Sequence, residues 1–97
     1  MMTRHLSLLN FTDRGVTNVK QSAKRADAFR AAVEKVGGKV IAQYWAIGEF
    51  DGCVIFETPD DQSAAALLLT LGQDGNVRTK TQRIFDEAEF QNVMATL

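Results

Sequence analysis

The chain is poor in the residues that build most small-protein sites. Its 97 residues include one cysteine, one histidine, one proline, one tryptophan and one tyrosine. A lone Cys53 excludes an intramolecular disulfide and any zinc or iron–sulfur site assembled from cysteines. A lone His5 leaves no histidine pair at helical or strand spacing, so no metal site of protein ligands is expected, and no cofactor. No apolar run reaches the 18 residues a membrane span needs, and a membrane partner is not expected. The start, Met1 to Leu6, lacks a long apolar stretch ending in a small-residue cleavage site, and a cytoplasmic location is expected. No phosphate-binding glycine loop and no serine–histidine–acid order is evident.

What is present is a balanced globular composition, 45% apolar and 24% charged with a net charge of -1. Such a chain can bury a core, and residues 1–97 read as a single domain. Charge is unevenly spread. Residues 1–40 carry eight Lys/Arg against three Asp/Glu, whereas residues 41–97 carry three against nine. Most early positives (Lys20, Lys24, Arg25, Arg30, Lys35, Lys39) fall in or beside one expected helix, which reads first as a solvated face. The acidic total and the lack of a basic strand with interleaved aromatics argue against nucleic-acid binding. Docking of this helix on an acidic protein partner is the interaction-module alternative.

Six main elements are expected. His5–Phe11 reads as a strand and ends in the polar turn Thr12–Gly15. A helix runs from about Asn18 to Val36, with Asn18 and Gln21 spaced as a capping box and Val19, Ala23, Ala26, Phe29 or Arg30, Val33 and Val36 as its stripe. Gly37-Gly38 stops it. Residues 39–47 and 52–57 form a hairpin about the turn Gly48-Glu49-Phe50-Asp51. The second helix opens with Thr58 as cap and Pro59 in its first turn, and buries Ala64, Ala65, Leu67, Leu68 and Leu71. Residues 76–85 form a fourth strand, with Val77, Thr79 and Thr81 on one face. Asp86 and Glu89 are spaced as a further capping box, opening a short helix that buries Phe90, Val93, Met94 and Leu97.

The order strand–helix–strand–strand–helix–strand is that of a ferredoxin-like βαββαβ fold, an α+β arrangement with a four-stranded antiparallel sheet. An antiparallel sheet with one wet face should alternate cleanly between polar and apolar residues. The hairpin does not. Val40, Ala42, Tyr44 and Ala46 share one expected face, and Ile41, Gln43, Trp45 and Ile47 the other. A second copy placed against the sheet would cover the surplus apolar face, so a homodimer, or a multiple of dimers, is expected.

Candidate ligand-cavity residues are few. His5 is the one side chain that titrates near neutrality. Tyr44 and Trp45, adjacent on a strand, point to opposite faces; one packs under the helices and the other reaches the free face. Glu57 and Arg83 lie on strands whose ends approach, and an ordinary ion pair is the plain reading. Cys53 sits among apolar strand residues and reads as a small inert hydrophobe.

The segments Gly38-Lys39-Val40 through Tyr44-Trp45, Gly48-Glu49-Phe50-Asp51, Glu57-Thr58-Pro59-Asp60 and Arg78-Thr79-Lys80-Thr81 together resemble the small bacterial GYD-domain family over nearly the whole chain. The family's Gly-Tyr-Asp element corresponds to the turn, where Gly48 and Asp51 match and Phe50 replaces the usual tyrosine. A tyrosine hydroxyl is therefore lost at that place, while a packing ring is kept. The resemblance implies a dimeric α/β barrel architecture, a superfamily that also holds cofactor-free monooxygenases. The expected function is a homo-oligomer binding a small apolar or aromatic ligand between the sheets of a dimer. The alternative is a monooxygenase-like enzyme acting on an aromatic or quinone-like compound, with His5, Tyr44, Trp45, Glu57 and Arg83 converging on one cavity.

Overall fold

A computed structural model describes residues 2–97. Strand β1 (Thr3–Phe11) leads through a short helix α1 (Asp13–Thr17) and a 3-10 turn (Val19–Gln21) into helix α2 (Ser22–Lys35). Strands β2 (Lys39–Trp45) and β3 (Gly52–Thr58) form the hairpin, helix α3 (Asp61–Gln73) crosses back, and β4 (Val77–Ile84) precedes helix α4 (Glu87–Met94). All strand pairs are antiparallel, in the order β2-β3-β1-β4. This is the ferredoxin-like arrangement, with β1 and β3 central. The barrel expectation is corrected. The sheet is open, because β2 and β4 are edges that do not pair with each other, so no closed α/β barrel forms.

The expected helix over residues 18–36 is two pieces, the 3-10 turn and α2, and the short helix α1 stands before it where a polar turn was expected. Asn18 does not cap a following helix; its side-chain amide and backbone N–H both donate to the Arg14 carbonyl, each at 3.0 Å, closing α1. The chain then bends at Asn18 (φ -105°, ψ 29°) and α2 starts at Ser22. Only Ala26, Phe29 and Val33 of the expected stripe are buried, and Val19 and Val36, on either side of the helix, stay exposed.

Helix α3 starts two residues later than expected. Asp60 is its cap, accepting the Ser63 N–H at 2.7 Å, while Thr58 is the fully buried last residue of β3 and donates its hydroxyl to the Asp60 carbonyl. The α4 capping box is as expected, Asp86 accepting the Glu89 N–H at 2.7 Å and the Glu89 carboxylate accepting the Asp86 N–H at 2.9 Å. The expected burial on α4 does not follow, since Phe90, Val93, Met94 and Leu97 are all exposed.

The core joins Phe29 and Val33 of α2, Val54 and Phe56 of β3, and Ala64 and Leu67 of α3. Phe29 meets Phe56 edge-on at 5.4 Å, a favourable aromatic geometry. The helix-covered face of the sheet also carries buried Ser7, whose hydroxyl lies 2.8 Å from that of Thr81, so neither is left without a partner.

One irregularity decides which side chains face the helices. Between Val40 and Ala42 the β2–β3 register shifts at a bulge. Val40 opposes Phe56 on the helix side, but beyond the bulge Gln43 and Trp45 take that side, opposite Val54 and Gly52. Ala42 and Tyr44 face the open side, opposite Ile55 and Cys53. The expected set Val40, Ala42, Tyr44 is therefore split, because an extra residue in one strand exchanges the two faces from that point onward.

Candidate functional site

A cleft of about 660 Å³ opens between the helices and the sheet. Its floor is built where the end of β1 (Leu9, Phe11), the end of β2 (Trp45) and the starts of β3 and β4 (Val77) come together, and its walls are the facing sides of α2, from Ser22 to Lys35, and of α3, from Ser63 to Leu71. The two helices hold the sheet through Phe29 and Leu67, and the space between them is lined mainly by apolar side chains. That volume falls within the range of small-molecule sites.

Polar groups are sparse in it, and two are unusual. Arg25 of α2 and Gln43 of β2 both line the cleft. Arg25 Nη1 donates to the Asn18 carbonyl at 3.0 Å, but Arg25 Nη2 and Gln43 Oε1 are shielded from solvent without a hydrogen-bond partner. Neither residue was singled out from the sequence as a site residue. Arg25 read there as one of several helix positives, and only the three-dimensional path of the chain shows that it turns inward.

The cavity candidates separate. Tyr44 and Trp45 both border the cleft at the end of β2, Trp45 from the helix side of the sheet and Tyr44 from a position that faces the open side. His5 does not; it is buried farther along the helix face, stacked on Phe56 at 5.4 Å with Nε2 3.5 Å from Asp61. Burial lowers its pKa below the ordinary histidine value, the Asp61 carboxylate opposes that shift, and the nearby Arg83 charge adds to it. Arg83 opposes His5 across β1 and β4, and its guanidinium lies 4.5 Å from the Phe85 ring.

Glu57 lies on the other face of the sheet and bonds Arg4, not Arg83, at 2.8 Å. The Arg4 guanidinium also bonds Glu89 at 2.8 Å and lies 3.5 Å from Asp86, tying the start of α4 to β1 and β3. The set required by the monooxygenase-like reading is thus not assembled in the cleft. Among the described residues, no group of three or more His, Cys, Asp or Glu is placed to hold a metal ion.

The turn residues Gly48, Phe50 and Asp51 have mechanical places. Gly48 has φ +147°, a conformation that disfavours any side chain. Phe50 is half-buried, and Asp51 is tied by two hydrogen bonds to the end of β1.

The open face of the sheet is a second apolar surface. Leu6 and Leu8 of β1 lie beside Ile55 and Cys53 of β3, with Ala42 and Tyr44 of β2 beyond them. The Arg4–Glu57–Glu89 cluster closes one end. No helix of the described residues is long and apolar enough to cross a membrane.

A ferredoxin-like α+β domain with a cleft under its helices is thus the class defined by the geometry. The chain belongs to the GYD domain family, whose model matches residues 5–94. No curated protein matches it significantly. Among solved structures it is similar to MtbAldR, with a TM-score of 0.69 and 13% identity over 88% of this chain and 52% of that one. It is also similar to a proposed amidohydrolase/peptidase from Burkholderia cenocepacia, with a TM-score of 0.56 and 20% identity over 87% of this chain and 27% of that one. The chain therefore spans about half of the first and about a quarter of the second, and at these identities the likeness is one of fold.

Proposed function

We propose that this GYD-family chain is a small-molecule-binding domain that works as a homo-oligomer. The observation that carries the reading is the cleft of about 660 Å³, lined by Phe29, Trp45, Leu71 and Val77 among others. A largely apolar cleft of that size suits a small apolar or aromatic ligand, which would make packing contacts along its walls. This puts the ligand inside one chain, between helices and sheet, on the side away from a partner's sheet. A second copy covers the open face, a role supported by its six apolar side chains and polar margin.

Native mass spectrometry of the protein, purified gently from its own host, tests both parts. The expected result is a dimer or a multiple of dimers carrying a reproducible extra mass. Ala66→Phe, on the exposed wall of the cleft, should lose the extra mass and keep the assembly. A ligand mass retained in full by this variant would overturn the cleft as the site, and a stable monomer would overturn the oligomer.

A further inference from the structure

Within the reading of the cleft as a ligand site, we propose that it selects apolar carboxylates, with Arg25 and Gln43 as the groups that recognise the head and the aromatic and aliphatic walls holding the tail. The argument begins with Arg25. Its guanidinium is partly withdrawn from water at the cleft wall, and only Nη1 has a protein acceptor, the Asn18 carbonyl. Ion pairs among the described residues are made by Arg4, His5 and Arg30, and none by Arg25. A shielded cationic donor without an acceptor or a counter-charge is costly, and an anion reaching it would remove both costs.

Gln43 supplies a second unmet group, on the sheet that forms the floor of the cleft. It stands on the helix side of β2 opposite Val54, with Oε1 shielded and unpartnered. A primary amide can present either end by rotation of its terminal torsion, so it can donate to a carboxylate oxygen. The planar fork of Arg25 matches a carboxylate better than any neutral head.

The other charges bordering the cleft do not favour a cation. The Asp51 carboxylate already accepts the Phe11 N–H at 2.8 Å, and Asp74 and Lys35 are exposed residues of opposite sign. The remaining lining is largely apolar, with Phe11, Phe29 and Trp45 contributing rings. An acid with an aliphatic or aromatic body fits this combination, whereas a small polar acid would leave the walls empty.

The test compares decanoate, decanol and decylammonium, which share a tail and differ in head, binding to the full chain. Emission of Trp45, the single tryptophan, and calorimetry report binding. Decanoate should bind at least ten-fold more tightly than decanol. Arg25→Gln should bring decanoate to the decanol level and leave decanol unchanged, which also shows that the variant is folded. Arg25→Lys should restore part of the preference, and Gln43→Leu should weaken decanoate a few-fold. Equal binding of decanoate and decanol, or tightest binding of decylammonium, would overturn carboxylate recognition while the cleft reading stands. Binding of none of the three would overturn the cleft reading itself.

Discussion

The carboxylate of Asp51 accepts the backbone N–H of Phe11 at 2.8 Å, and the Asp51 N–H in turn donates to the Leu9 carbonyl at 2.9 Å. These two bonds clamp the β2–β3 turn onto the end of the central strand, and Asn10 adds a third by donating its side-chain amide to the Glu49 carbonyl. The Gly-Glu-Phe-Asp turn therefore does mechanical work at the floor of the cleft.

Asp51→Ala should lower stability by about 1–2 kcal/mol, because a charge-assisted hydrogen bond is lost and the Phe11 N–H is left without its acceptor. Asp51→Asn keeps an acceptor and should cost less. Urea denaturation of the three proteins checks the order; an Ala variant as stable as the parent would remove the clamp from the account.

His5 sets a pH dependence. Its folded pKa is depressed by burial, so the folded chain binds a proton less readily than the unfolded one. The stability this gives is fully present above the unfolded histidine value of about 6.5 and is lost as pH falls through the folded value. The melting temperature should therefore drop between neutral pH and mildly acidic pH. His5→Phe, which keeps a ring against Phe56, should flatten the profile in that window. A parent profile without slope there would refute the assignment.

The glycines divide sharply. A Cβ at Gly15 would overlap the Asn76 carbonyl oxygen, so Gly15→Ala must push α1 away from the entrance to β4 and should cost at least about 2 kcal/mol. Gly72 lies in helix α3 with open space around its Cα hydrogens. There, Gly72→Ala should stabilise by about 0.5–1 kcal/mol through helix propensity. Thermal unfolding of the pair reads both signs.

The open face of the sheet offers a direct test of assembly. Leu8 and Ile55, on β1 and β3, would lie near the centre of a contact with a second copy. On the proposed homo-oligomer, sedimentation velocity should show the parent as a dimer or larger and Leu8→Lys with Ile55→Lys as a monomer, with far-ultraviolet circular dichroism unchanged. An unaltered sedimentation coefficient would place the contact elsewhere.

The order of elements was legible in the sequence because its signals are local. A strand-like run ended by the polar turn at Thr12 marks β1, period-two β-branched residues mark β4, the Gly48–Asp51 turn marks the hairpin, and the Asp86–Glu89 spacing marks the start of α4. The family was legible for the same reason, through short segments in a fixed order between Gly38 and Thr81, and its model matches residues 5–94. Tertiary structure decided what depends on pairing between distant residues. The bulge after Val40 placed the exposed Trp45 on the helix side and Tyr44 on the open side, a choice that period-two alternation cannot make. Strand order put Glu57 beside Arg4 and left Arg83 on the opposite face beside His5. It also left β2 and β4 as open edges where a closed barrel was expected. The cleft itself, and the inward turn of Arg25, arise from how far α2 and α3 stand apart on the sheet, a distance set by packing across the whole fold and by no local pattern.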